Sequence, residues 1–134
     1  MHVLVVEDDL DTRDLLHHAL LKAGYEVSLA RGVSDALRLS RLHPDIGVVI
    51  MDMHRGHRLS ILEMTHEMRQ YLPHGHYVLA SGEWDALEPS CQRDMTVLRK
   101  PYGMNDLLHA VRRCDTRREN LLVTLLAEPM LLPA

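Results

Sequence analysis

Gly47-Val48-Val49-Ile50-Met51-Asp52-Met53-His54 is an apolar run that stops at a carboxylate. Its β-favouring residues, set between Pro44-Asp45 and Arg55-Gly56-His57, read as a strand buried on both faces, the kind found in parallel sheets. Such a strand delivers its last side chain to the carboxyl edge of the sheet, which is where open α/β sheets bind their ligands. Asp52 therefore stands in a position for chemistry. Asp is also a common N-cap and turn residue, and the stretch by itself does not separate the two roles.

The chain on either side does. His2-Val3-Leu4-Val5-Val6 is a second short apolar strand, and it too ends in acids, Glu7-Asp8-Asp9. From Asp9 to Gly24 the apolar positions Leu15, Leu16, Ala19 and Leu20 give an amphipathic helix with Gly24 as its stop. Glu26–Ala30 alternates as a strand, and Ser34 is placed to cap a helix through Ala36, Leu37, Leu39 and Leu42 that Pro44 ends. Beyond the central strand, Leu59 to Leu72 carries Leu59, Leu62, Met64 and Met68 near helical spacing and closes at Pro73. His76-Tyr77-Val78-Leu79-Ala80 predicts a fourth strand ending at Ser81-Gly82, followed by a weaker helix within residues 85–93, interrupted by Pro89. Thr96-Val97-Leu98 predicts a fifth strand, ending in Arg99-Lys100-Pro101. Asn105 to Arg118 is a helix with Leu107, Leu108, Val111 and Cys114 on one face. Five strands alternating with five helices imply an α/β fold, a doubly wound five-stranded parallel sheet covered on both sides.

Bulk properties bound the function. At 134 residues the chain fits one domain with a sizeable core. With 46% hydrophobic and 25% charged residues, no Phe and one Trp, it has the composition of a globular protein with an aliphatic core. No apolar run is long enough to span a membrane and no secretion signal is evident, so a cytoplasmic location is expected. Cys91 and Cys114 lie far apart without metal-ligand spacing and read as incidental thiols. A net charge of -4, with Arg112, Arg113, Arg117 and Arg118 as the densest basic cluster, argues against direct nucleic-acid binding. His54-x-x-His57 and His74-Gly-His76 lack a carboxylate or Cys in sequence to complete a metal set and read as solvent-exposed loop histidines.

What remains is a constellation. Glu7 and Asp8, Asp52, Ser81 and Lys100 fall at the carboxyl ends of strands one, three, four and five. Three carboxylates at one edge repel one another unless a positive charge sits among them. A hard cation such as Mg²⁺ suits that oxygen-rich set, and Lys100 supplies a second positive charge. Individually, Lys100 could form a structural ion pair and Ser81 could cap a helix. Together, an acid pair, a central acid, a hydroxyl and a lysine suit the transfer of a phosphoryl group onto a carboxylate.

On these residues the first 118 positions resemble the receiver domain of bacterial two-component response regulators. The matching motifs are Val5-Val6-Glu7-Asp8-Asp9, Val49-Ile50-Met51-Asp52, Leu79-Ala80-Ser81-Gly82 and Lys100-Pro101-Tyr102, in that order. The resemblance implies a flavodoxin-like sheet of order 2-1-3-4-5. It implies that Asp52 accepts a phosphoryl group from a histidine kinase or phosphotransfer protein, and that a downstream protein target reads the signal. Asp8 and Asp52 would bind Mg²⁺ directly, Glu7 through water and His54 through its backbone carbonyl, while Ser81 and Lys100 would contact the phosphoryl group. His54 and Glu83 occupy positions that modulate the lifetime of the phosphorylated state in the family. Two departures stand out: Arg55, Gly56 and Ser60 replace the Met-Pro pair and Gly that often follow the acceptor, and Val97 replaces the aromatic residue usual midway along strand five.

Two other readings share the residues. A receiver-like module could act by constitutive binding, without a full phosphorylation switch, against which the intact Asp8, Asp52 and Lys100 speak. An aspartyl-phosphate phosphatase needs a second acid two residues after its nucleophile, where this chain has His54, so a phosphoacceptor domain rather than an enzyme is expected. The organisation expected is a receiver at 1–118 and an apolar tail at 119–134. Starting at Met1 just before strand one, and with sixteen residues after Arg118, the chain reads as a stand-alone receiver or as one cut from a longer regulator. Thr116-Arg117-Arg118-Glu119 has capping-box spacing for a new helix, though the same residues could continue the preceding one. Leu121, Leu122, Val123, Leu125 and Leu126 make that helix apolar around most of its girth, suited to folding back, to a linker, or to a homodimer beside the fifth helix.

Overall fold

Strict alternation in the strands sorts the core into two layers. In the computed structural model, which describes residues 1–52, 58–81 and 95–127, β1 (His2–Val6), β2 (Glu26–Ala30), β3 (Ile46–Asp52), β4 (His76–Ser81) and β5 (Met95–Arg99) form one parallel sheet of order β2-β1-β3-β4-β5. Side chains two apart share a face of a strand. Leu4, Val6, Val49, Met51, Tyr77 and Leu79 accordingly fill one layer, and Val3, Val5, Val48, Ile50 and Val78 fill the other. The helices α2 (Val33–Leu42) and α3 (Arg58–Met68) cover the first layer with Ala36, Met64 and Met68. The helices α1 (Leu10–Lys22) and α4 (Met104–Ala127) cover the second with Leu16, Leu20, Leu107, Val111 and Cys114. Strands buried on both faces read as continuous apolar runs, which is why β1 and β3 are so plain in the sequence.

The doubly wound fold and strand order agree with expectation. Four helices lie among the described residues; the weaker one expected within residues 85–93 lies outside them. Asp9 caps α1, its Oδ2 accepting from the Thr12 amide at 2.9 Å. Gly24 closes that helix at φ +94°, and its N–H and that of Tyr25 donate to the carbonyls of Leu21 and Leu20. A residue with a side chain is strained at that φ, so the Gly is dictated by the turn. Ser34 is not the cap of α2: the helix begins at Val33 after Gly32, and the Ala36 amide donates to the Gly32 carbonyl. Ser34 thus falls inside the first turn, and extended Gly32 takes the cap without a side-chain bond. Where the tail begins, α4 does not restart at Arg117 but continues unbroken to Ala127. No helix among the described residues is long and apolar enough to cross a membrane.

Candidate functional site

The register of the sheet brings the expected acids together. Val6 pairs with Met51, so the next residues, Glu7 and Asp52, stand side by side past the ends of β1 and β3. Asp52 is level with Ala80 of β4, and Ala80 with Leu98 of β5. Parity fixes the side: Glu7 follows Val3 and Val5, Asp52 follows Val48 and Ile50, and Lys100 follows Leu98, all in the layer covered by α1 and α4. Sheet edge and sheet face together thus bring two acids and a lysine to one corner of the domain.

At that corner the Asp52 carboxylate is ion-paired with Lys100 Nζ, its side chain 6% exposed against 30% for Lys100. Lys100 reaches it from the turn after β5, where the Lys100-Pro101 peptide is cis. Glu7 is buried; its Oε1 accepts from the Asp9 amide at 2.9 Å, and its own amide donates to the Ala30 carbonyl at 3.0 Å. Asp8 is exposed at the rim. Ser81 ends β4 opposite Arg99, one residue beyond the level of Asp52. Val97 packs partly buried against the first core layer. His54 and Glu83 lie outside the described residues.

Two residues join the site that the sequence did not single out for it. Arg13 of α1 is buried, and its Nη1 donates to the Glu7 carbonyl at 3.3 Å, holding the acidic turn against the helix. Its signal was positional: Arg13, Leu16 and Leu20 lie three and four residues apart, so Arg13 shares the buried stripe of α1. Tyr102 lies two residues after Lys100, partly buried against the second core layer. Burial, and then the negative charges of Asp52 and Glu7, push its phenol up to about 12. Burial is the larger part of that shift, and the Asp52 and Glu7 carboxylates add to it as negative charge. An oxygen-only donor set in a negative field fits a hard divalent ion such as Mg²⁺.

No protein-family model matches the chain. Among solved structures, a receiver domain protein from Clostridium thermocellum superposes with TM-score 0.77 at 26% identity, over 90% of this chain and 98% of that one. The chain thus has the fold of response-regulator receiver domains. A Thermotoga maritima response regulator (TM-score 0.71, 23% identity, 84% of this chain and 95% of that one) and Vibrio cholerae CheY4 (0.69, 23%, 84% and 97%) share the fold. A stretch of 51 residues is 45% identical to YrkP of Bacillus subtilis (strain 168), described as an uncharacterized transcriptional regulatory protein. That stretch is 38% of this chain but only 21% of YrkP, so the chain matches about a fifth of that relative's length.

Of the histidines, His76 is not a loop residue: it opens β4, and its Nε2 lies 2.8 Å from Thr96 Oγ1. The one group of metal-capable side chains found among the described residues is instead His2, His43 and Asp45, at the amino edge of the sheet, which the sequence reading passed over because His2 opens β1 and the other two lie in the distant α2–β3 turn.

Proposed function

We propose that this receiver takes a phosphoryl group onto Asp52 and passes the signal on through protein contacts. The observation that supports this most is the nearly buried Asp52 carboxylate, paired with Lys100 and flanked by Glu7 at the carboxyl edge of the sheet. A carboxylate so placed is largely shielded from bulk water, which suits a nucleophile. An Asp52 oxygen attacks phosphorus, the P–N bond to the donor histidine breaks as the O–P bond forms, and the imidazole leaves neutral after protonation. Lys100 then transfers its pairing from the carboxylate to the phosphoryl oxygens, and the Ser81 hydroxyl donates to another. Glu7, Asp8, Asp52 and the His54 carbonyl would hold Mg²⁺, which when bound neutralises phosphoryl charge. Water attacks the acyl phosphate, the O–P bond breaks, and inorganic phosphate leaves as the Asp52 carboxylate is restored, so the chemistry is the domain's own switching rather than turnover of a separate substrate.

The donor on this reading is a histidine kinase or phosphotransfer protein in the cytoplasm. The target is a protein that docks beside β5 and α4, where Arg99, Tyr102, His109 and Arg113 border an open groove. Tyr102 connects groove and site, since it borders the one and feels the charge of the other. Beyond the receiver proper, which we take as residues 1–118, α4 exposes Leu122, Val123, Leu125 and Leu126, a face for a second copy of the chain.

Intact-mass spectrometry after incubation with acetyl phosphate and Mg²⁺ tests the core of the proposal. One added phosphoryl group is expected on the wild type and none on Asp52→Asn. A variant phosphorylated as completely as the wild type would place the acceptor elsewhere.

A further inference from the structure

At the end of the sheet opposite Asp52, three side chains converge that the phosphoryl chemistry does not use. His2 opens β1, His43 follows the last turn of α2, and Asp45 immediately precedes β3. One ligand atom from each lies within 4.8 Å of the others. A β-bulge makes this meeting possible: His2 pairs with Ile46 and Val3 with Val48, leaving Gly47 as the extra residue. In a strand of unbroken register Ile46 and Val48, two apart, would share a face; across the bulge they do not, and Ile46 packs in the layer under α2, on the side where His2 meets the end of that helix.

The His2 imidazole is 3% exposed, and both its nitrogens are committed. Nδ1 lies 2.9 Å from Asp45 Oδ2, and Nε2 lies 2.7 Å from Ser28 Oγ. The His43 ring stands edge-on to it, centroids 5.1 Å apart at 67°. An acceptor on one imidazole nitrogen orients the ring and leaves the other nitrogen for a metal, as outer partners of ligating histidines do. Ser28 is placed for that role. With Nδ1–H donating to Asp45 and the Ser28 hydroxyl donating to Nε2, a proton satisfies the pair; with Nε2–H donating to Ser28, the Nδ1 lone pair and the Asp45 carboxylate face one space, where a cation can replace that proton.

We propose that His2 Nδ1, His43 and Asp45 form a cation site for a divalent transition ion of the Zn²⁺ class, which fastens the α2–β3 turn to the start of β1. Two imidazoles and one carboxylate suit such an ion and do not suit Mg²⁺, which prefers oxygen. Bonds of about 2.0–2.1 Å set tetrahedral ligand atoms roughly 3.3 Å apart, so His2 Nδ1 and Asp45 Oδ2, now 2.9 Å apart, must part slightly, while atoms that lie within 4.8 Å must close by at most about 1.5 Å. The adjustment falls to His43 and Asp45, which are half-buried and exposed, while His2 stays packed. With Asp45 facing solvent, water can complete the fourth position.

Titration of the metal-free protein with Co²⁺, followed by displacement with Zn²⁺, tests this. One equivalent with the intense visible bands of a tetrahedral ion is expected, lost to Zn²⁺ and untouched by excess Mg²⁺. His43→Ala and Asp45→Ala change side chains outside the core and should each weaken Co²⁺ and Zn²⁺ binding at least about tenfold, a loss seen even for outer partners of metal ligands. Zn²⁺ should also raise the melting temperature of the wild type and leave that of His43→Ala in place. Equal affinity in wild type and His43→Ala would assign the ion to surface histidines, and no binding at micromolar Zn²⁺ would mean the triad holds only its proton; either result overturns the proposal. Neither depends on whether Asp52 is phosphorylated, so the two readings fail separately.

Discussion

The pairing of Asp52 with Lys100 makes an asymmetric prediction about stability. Lys100→Met keeps the length and apolar stem of the side chain and removes the charge, leaving Asp52, 6% exposed, beside Glu7 with no lysine to answer it. Breaking a fully buried pair from one side costs about 3–5 kcal/mol because the remaining charge is stranded. Lys100 is 30% exposed, so solvent already screens part of the attraction, and we expect about 2 kcal/mol. For a domain of this size that is roughly 6–10 °C in melting temperature. Asp52→Asn acts in the opposite sense: it removes one of two adjacent acids and leaves a lysine that can turn toward water. Its stability should stay within about 1 kcal/mol of the wild type, on either side. Thermal and urea unfolding of the three proteins, in chelator to exclude divalent ions, measure the difference. Equal losses in the two variants would show that the pair is held for its mutual attraction rather than for the placement of the acid, and the reasoning would fail.

Further expectations follow from the charges and the exposed helix. Tyr102, pushed up to about 12, is favoured neutral in the fold; its contribution is complete below the ordinary value of 10.0 and lost as pH rises toward 12. Phenolate absorbance, taken as the difference between wild type and Tyr102→Phe, should show its titration moving down in Asp52→Asn yet staying above 10.0, since burial is the larger cause. Asp45 is held below 3.8, so its contribution is present above 3.8 and lost as pH falls below it; urea midpoints of wild type and Asp45→Asn should differ at neutral pH and converge in acid. At micromolar concentration the full chain should run as a dimer by light scattering coupled to size exclusion, and a chain ending at Arg118 as a monomer; two monomers would discard the pairing face.

How legible was this in the sequence? Strands buried on both faces announced themselves as apolar runs, and the acids or lysine that end β1, β3 and β5 stood out because a charge after such a run has no packing role. The short range failed where two residues compete for one local job. Ser34 has the better capping side chain, yet the cap falls two residues earlier, on Gly32, whose carbonyl accepts from the amide of the buried Ala36. Likewise Leu15 and Leu42 match helical spacing but are 60% and 61% exposed, while Arg13 and Ser40 are buried with hydrogen bonds to carbonyls. Hydropathy cannot see that a polar group becomes a core residue once its donors are satisfied.

The two ends of the sheet show a deeper limit. Every carboxyl-edge residue identified from sequence stood next to a strand end, so a linear reading could place it. His2, Ser28, His43 and Asp45 meet at the other edge only because β1 lies between β2 and β3 and because Gly47 adds a residue to β3. Strand order supplies the first condition and a bulge the second, and neither is written at the positions concerned. The same sheet polarity then separates the chemistries by donor type. Carboxylates and a lysine collect at the carboxyl edge, where phosphoryl oxygens and a hard ion fit. Imidazoles collect at the amino edge, next to the end of α2, where the helix dipole is negative and favours a positive charge, whether proton or metal. A parallel sheet thus gives one small domain two electrostatically unlike ends, joined by the buried strands β1 and β3 that reach both.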